Sequence, residues 1–256
     1  DCMGWNANDL GAARGRPVAF VDYPAIEDPD EGTAEKIGGG LAAGAEEADI
    51  EPVGGETAVM PEVVKSLDLA GAAVGLADKD GLFDGAAEPG DTLVGWPSSG
   101  IHSNGLTLAR TATTRDHEYT DPCPFEGYET IGDALLEPTR MYTDLLTPMR
   151  AHGVRGAAHI TGGGWGNLQR LGEHRYVVDD PFDAQPVFEF VQEQGNVSDA
   201  EMHTTFNMGT GFVAALGDDT SATALAEATD GRVIGHVAAS DEADAGVGVS
   251  IRGLDL

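Results

Sequence analysis

The run Pro97–Leu108, PSSGIHSNGLTL, gathers hydroxyls, an imidazole, a carboxamide and turn glycines into one short stretch. Ser98, Ser99 and Gly100 offer hydroxyls and close backbone approach to an anionic or polar ligand, glycine permitting the dihedrals such a turn needs. His102 and Asn104 stand where a helix over Gly105–Thr114 is expected to begin, capped by Ser103 or Asn104. Its unused N–H groups are then expected to face the same space as His102. The combination suits phosphate chemistry; a capped helix with an incidental histidine is the competing structural reading. In HITGGG (159–164), His159 and Thr161 flank Gly162, Gly163 and Gly164, which after a strand form either a phosphate-cradling nest or a tight structural turn. Asp9 of NANDL and Glu56 of GGET are hard oxygen donors of the kind that hold Mg²⁺ on nucleotide phosphates. Acid is so common here that a solvated surface position would explain either one alone. TFNMGTG (205–211) is a fifth glycine-containing motif.

Several familiar chemistries are excluded. The chain has no GxxxxGK[ST] phosphate loop, no GxGxxG in a strand–turn–helix setting, no GxSxG elbow and no HExxH zinc motif. The histidines at 117, 152, 174, 203 and 236 lie outside the glycine motifs and read as ordinary. Cys2 and Cys123 make neither a metal cluster nor a disulfide framework, which fits a reducing compartment. The sequon Asn196–Ser198 is then a chance match, and no run is long and apolar enough for a membrane span. A cytoplasmic location is expected. The 256 residues are 41% hydrophobic, enough for real cores, while 44 acidic against 14 basic residues give a net charge of −30. That balance argues against nucleic acid or an anionic membrane as partner. The acid is spread along the chain, and only Lys36, Lys65 and Lys79 are lysines. Such self-repulsion is tolerable where salt screens it, so a halophile's cytosol is inferred.

The motifs are expected at the ends of regular elements, where backbone N–H groups remain unused in α/β proteins. A helix-like opening leads through Gly15–Pro17 into a strand over Val18–Val21 that Asp22 ends. Glu31–Asp49 has helical spacing, Glu51–Pro61 is a strand end with a double glycine presenting Glu56, and Leu67–Ala77 is a strand. After a strand at 90–96 come a helix over Leu135–His152, a strand at Ala157–Ile160, a short helix at Trp165–Leu171 and a strand at Tyr176–Val178. A helix at Pro186–Gln194, a strand at Gly211–Leu216, a helix at Thr220–Thr229 and strands at Arg232–Ala238 and Val247–Arg252 complete the pattern. The expected architecture is α/β, more closely α+β, in two domains, 1–89 and 90–256.

Taken in order, NDL, FVDY, VGGETAVMP, DLAGAAVG, SSGIHSNGLTLAR, LLEPTRMY, HITGGG, GNVSDAEMHTTFNMGTG and VIGHV resemble the phosphoribosylformylglycinamidine cyclo-ligase family, the AIR synthetases of purine biosynthesis. The resemblance implies an N-terminal mixed sheet that forms a shared β-barrel in a homodimer, a C-terminal α/β sandwich, and ATP with Mg²⁺ as cofactors. It implies as substrate formylglycinamidine ribonucleotide, whose formyl oxygen ATP activates as an imino-phosphate. A nitrogen of the same molecule then attacks, and aminoimidazole ribonucleotide, ADP and phosphate leave. Carried onto this chain, Asp9 lies near Mg-ATP with Glu56 as a second metal candidate, and His102 and His159 lie at the reacting end. Ser98, Ser99, Gly100 and Asn104 on one loop, with Thr161, Gly162, Gly163 and Gly164 on the other, are the expected phosphate contacts. Val59 and Glu62 depart from the family's usual Glu and Gly, and Thr107 replaces Ser. The family's DGVGTK motif would precede Asp1, so residues 1–89 are expected to form an incomplete N-terminal domain. Other ATP-using relatives, such as thiamine-phosphate kinases, selenophosphate synthetases and hydrogenase-maturation proteins, share GGET-like pieces but differ in the second-domain motifs. A non-catalytic acidic domain is the alternative from another class.

Overall fold

Strand β1, Arg16–Ile26, is the centre of the first of two units in the computed structural model, which describes residues 1–79, 81–83, 87–239 and 246–256. This unit comprises Asp1–Leu82 together with Met141–Leu146. One edge of β1 pairs in parallel with β2 (Glu51–Gly55) and then with β3 (Ala58–Val59), which leaves Glu56 and Thr57 at the junction. The other edge pairs antiparallel with β4 (Leu67–Leu76) along its whole length, from Arg16↔Leu76 to Ile26↔Leu67. That pairing carries the strand past Asp22, which does not end it as expected; Asp22 uses its carbonyl to accept from the Glu56 N–H at 3.1 Å. Helices α1 (Cys2–Ala12) and α2 (Glu31–Ala48) supply Met3, Ala7, Ala45 and Ala48 to a core around Phe20 and Ile50. The Asp30 carboxylate caps α2 by accepting from the Thr33 N–H at 2.7 Å. Among the described residues nothing covers the opposite face of the sheet. Val21 and Tyr23 on β1 and Val74 and Leu76 on β4 are exposed there, with the β1–β4 register setting Val21 opposite Ala72 and Tyr23 opposite Ala70.

The second unit, Phe83–Arg140 with Thr147–Leu256, is built on a mixed sheet that has seven strands among the described residues. In chain order these are β5 (Thr92–Pro97), β6 (Gly156–His159), β7 (Arg175–Val178), β8 (Thr210–Leu216), β9 (Arg232–Val237), β10 (Gly248–Ile251) and β11 (Leu254–Asp255). Their spatial order is β11-β10-β7-β9-β5-β8-β6. Strands β5 and β8 are buried along nearly their whole length, β8 without exception, and their apolar runs reflect that, whereas β9 beside them is only partly buried. One core lies between the sheet and a 3-10 helix at Gly164–Leu171, around Leu93, Ile160, Trp165, Leu168 and Val213. A second joins α3 (Leu106–Thr113), α4 (Ile131–Leu135), α6 (Pro186–Gly195) and α7 (Asp199–Thr205) through Ile101, Ala109, Phe188, Val191, Met202 and Phe206. No described helix is long and apolar enough to cross a membrane.

Two helices differ from expectation. The span Leu135–His152 is not one helix: α4 stops at Leu135, and helical structure resumes only with a 3-10 turn at Thr143–Leu145 and α5 (Leu146–Ala151). Pro138 disfavours the helical region for Glu137, and the released segment puts its backbone groups to other uses described below. Within it, Met141–Leu146 returns to the first unit, where the Tyr142 N–H donates to the buried Asn8 Oδ1 at 2.8 Å. Helix α3 is capped neither by Ser103 nor by Asn104 but by Gly105, whose φ of +63° is left-handed. A Cβ there would meet the Phe206 ring and lie 2.7 Å from Thr205 Cγ2, so packing and dihedral together require glycine.

Candidate active site

The sheet register of the second unit fixes where its motifs meet. Strands β5 and β6 both pair antiparallel with β8 and therefore run parallel to each other, with Trp96 and His159 each opposite Phe212. The loop after β5 (SSGIHSNG), the loop after β6 (HITGGG) and the TFNMG segment entering β8 thus leave one end of the sheet. Strand β7 points the same way through β9, so the connection carrying Gln185 leaves there as well. The structure brings His102, Asn104, His159, Thr161 and the triple glycine together at this end. The His102 and His159 rings lie 6.4 Å apart between centroids, both imidazoles being buried. Asn104 Oδ1 is 3.8 Å from where a Cβ of Gly162 would stand. Gly162 and Gly163 are exposed, whereas Gly164 is buried and donates its N–H to the Thr161 carbonyl at 2.9 Å.

Carboxamides that the sequence reading did not single out hold these loops in shape. Asn167 Oδ1 accepts from the Thr161 N–H at 2.6 Å and the Thr161 hydroxyl at 3.0 Å, while its Nδ2 donates to the Gly162 carbonyl at 3.2 Å. Asn207 donates to the Gly100 carbonyl at 2.8 Å and accepts from the Gly209 N–H at 2.9 Å. Gln185 donates to the Ser98 carbonyl at 2.6 Å and accepts from the Ser98 hydroxyl at 3.2 Å. Ser99 Oγ donates to the Pro138 carbonyl at 2.6 Å and accepts from the Arg140 N–H at 3.1 Å. Both serine hydroxyls are therefore engaged by protein groups. Arg140 also reaches the Pro97 carbonyl at 3.3 Å. Position is the only sequence signal for Asn167 and Asn207, which lie near or within a glycine motif; Gln185 lies far from every such motif and carries none.

His102 is the electrostatically unusual member. Burial first, then the neighbouring His159, pushes its pKa down from 6.5 to about 3, so the imidazole is neutral near pH 7. Its backbone φ of +59° is left-handed, a conformation a non-glycine residue adopts at an energetic cost and one that marks it as special.

The two carboxylates proposed from sequence belong to the first unit. Asp9 is exposed on α1, and its neighbour Asn8 is the buried polar residue of NANDL. Glu56 is exposed at the β2–β3 junction and accepts from the Thr57 N–H at 3.1 Å. Asp22 Oδ1 lies 2.6 Å from where a Cβ of Gly55 would stand, which sets a further carboxylate beside Glu56 that the sequence reading treated only as a strand end. Among the described residues no group of three or more His, Cys, Asp or Glu side chains is arranged to hold a metal ion. A metal dressed by waters and nucleotide phosphates needs only one or two carboxylates, and Asp9 and Glu56 are each an exposed hard-oxygen residue of that chemical type.

Residues 1–77 match the family model of the AIR synthase related protein, N-terminal domain, and residues 88–248 that of the C-terminal domain. The chain belongs to the AIR synthase related family. Among AIR synthase relatives, a phosphoribosylformylglycinamidine cyclo-ligase from Methanosarcina acetivorans is 46% identical over 94% of this chain and 72% of its own length. One from Methanococcoides burtonii is 41% identical over 100% of this chain and 75% of its own. The AIR synthase fold is also seen in thiamine-monophosphate kinase from Stenotrophomonas maltophilia, with a TM-score of 0.73 at 20% identity, covering 99% of this chain and 78% of that one. Hydrogenase maturation protein HypE in complex with ATP gives 0.70 at 17% identity, covering 98% and 74%. These distant structures establish the fold alone.

Proposed function

We propose that the chain is an ATP-dependent cyclo-ligase that closes formylglycinamidine ribonucleotide to aminoimidazole ribonucleotide, releasing ADP and phosphate. The observation that carries this reading is identity of 41–46% to proteins of that name along nearly the whole chain. The buried His102–His159 pair at the mouth of two glycine loops supports it. ATP as co-substrate is supported by distant structures solved with ATP and with AMPPCP. In this reading the γ-phosphoryl group passes to the formyl oxygen, an internal nitrogen attacks the activated carbon, and the C–O bond to the phosphorylated oxygen breaks. Phosphoryl transfer asks a protein for charge neutralisation and positioning. Gly100, Asn104, Gly162 and Gly163 present polar and backbone groups to phosphates, with Gly164 and Thr161 setting the turn and Ser98 and Ser99 setting the neighbouring loop. His102 and His159 serve the reacting end. Mg²⁺, held by Asp9 with Glu56 as a second donor, would neutralise phosphate charge. Ring closure within one molecule gains further from holding the two ends together.

The same reading makes the protein a cytoplasmic homodimer joined through the uncovered face of the first sheet. Val21, Tyr23, Val74 and Leu76 form an apolar strip that a second copy would bury. Val74→Glu is expected to turn the dimer into monomer in analytical ultracentrifugation, and an unchanged sedimentation coefficient would remove this face from the interface. The reaction itself is tested by following phosphate and aminoimidazole ribonucleotide formation from ATP and formylglycinamidine ribonucleotide. His102→Ala is expected to lower turnover at least about 100-fold with folding intact. Wild-type turnover in that variant would detach His102 from the chemistry.

A further inference from the structure

Two features of His102 go beyond its assignment to the reacting end. Among the described residues its buried Nδ1 has no hydrogen-bond partner, and the residue is held in a left-handed backbone conformation. A buried donor without a partner costs free energy, and persists where a ligand completes the bond. The other ring nitrogen is already fixed. The Ser99 N–H points at Nε2 from 3.2 Å, so Nε2 must present its lone pair. Ser99 Oγ lies 3.1 Å from the same nitrogen, but its proton is directed to the Pro138 carbonyl at 2.6 Å. Its oxygen accepts from the Arg140 N–H at 3.1 Å. The hydroxyl therefore has no proton left for the ring. A neutral imidazole whose Nε2 accepts carries its hydrogen on Nδ1, the unpartnered atom. A second proton is opposed by burial, by the His159 ring 6.4 Å away and by the Arg140 guanidinium.

We propose that Ser99 is a positioning residue that holds His102 as the Nδ1–H tautomer, so that this imidazole serves the site as a neutral hydrogen-bond donor to an acceptor oxygen, not as a base or a cation. Ser99 acts twice: its backbone N–H fills the Nε2 lone pair, and its hydroxyl ties the loop to the Pro138–Arg140 backbone. Only the identity of the acceptor rests on the cyclo-ligase reading, in which it is the formyl oxygen that receives the phosphoryl group and later departs with it. A donor aimed at that oxygen stabilises the charge that develops there at no cost in proton transfer.

The test is a two-bond ¹H–¹⁵N spectrum of the full chain carrying ring-labelled histidine, with the His102 signals assigned by their loss in His102→Asn. The expected result is a protonated Nδ1 and an unprotonated Nε2, unchanged from pH 8 down to pH 5. An Nε2–H tautomer, or titration at the ordinary histidine value, would overturn the inference. Ser99→Ala is expected to give mixed tautomers and to lower kcat about 10-fold with little change in KM, and Ser99→Thr to restore both. Ser99→Ala with an unaltered spectrum and unaltered kcat would remove Ser99 from the role. Should Ser99→Ala not fold, the wild-type spectrum still decides the tautomer. The expected tautomer in a protein that forms no aminoimidazole ribonucleotide would uphold the donor assignment while overturning the reaction.

Discussion

His102 ties the stability of the fold to pH through one proton. The unfolded chain takes up a proton on this imidazole below pH 6.5, whereas the folded protein refuses it until about pH 3. Between those values the unfolded state binds more protons, so the folded state loses stability as pH falls through the window and gains nothing above it. From pH 6.5 to pH 4.5 the loss from this group is of the order of 2–3 kcal/mol. His102→Asn removes the titration while keeping a residue that tolerates a left-handed backbone. Its urea-unfolding free energy is expected to fall less steeply than the wild type's over that interval; identical slopes would mean that His102 titrates normally. That His102 and His159 would be brought together is legible in the sequence at this scale, because glycine-flanked histidines at strand ends are conspicuous. The tautomer is not, since it depends on a backbone N–H three residues away. Asn8 and Asp22 carry no sequence signal for a related reason: a buried carboxamide and a strand carboxylate look like their exposed counterparts until the neighbours are known.

At the scale of elements, the strands and longer helices follow from apolar periodicity and caps, which act within a few residues and so can be read locally. Asp30, Ser198 and Asp218 each accept from the N–H three residues on, at the starts of α2, α7 and α8 (Asp219–Ala228). What local pattern could not supply was the fate of Leu136–Tyr142. Its apolar spacing continues a helix, but Pro138 and the bonds from Ser99 and to Asn8 hold it open. The start of α3 is equally hidden from local pattern, because Phe206 and Thr205, a hundred residues distant in sequence, require glycine at 105. Asn167 is the element-scale test of the triple-glycine loop. Asn167→Ala leaves the Thr161 N–H and hydroxyl without their acceptor in a buried place, which is expected to cost about 1–3 kcal/mol. Thermal unfolding should register that cost, and kcat should fall about 10-fold or more as the loop loses its shape. A lowered melting temperature with unchanged kcat would make Asn167 structural only.

For the whole molecule the dominant fact is a charge of −30 carried with only 14 basic residues. Arginines are drawn into acid pairs, with Arg155 between Glu88 and Asp91, Arg175 on Asp255 and Arg232 near Asp180, which leaves most of the acid to repel itself. At 1 M salt the screening length falls to about 3 Å. The melting temperature is therefore expected to climb steadily as KCl approaches molar concentration, and a flat response would show that the acid is not an adaptation to salt. The two-domain architecture was legible, because strand and helix patterns repeat on both sides of a glycine- and acid-rich junction. The return of Met141–Leu146 to the first unit was not, because that stretch carries no boundary signal. The chain therefore passes between the units three times, and its halves are interleaved in sequence, not strung like beads. Whoever recombines such proteins by exchanging one half at residue 82 or 83 would also exchange Tyr142 and Met141, the partner of Asn8 and a neighbour of the Phe20 core. The natural unit of inheritance is a unit bounded by all three crossing points, and a working chimera has to carry both pieces of one unit from one parent.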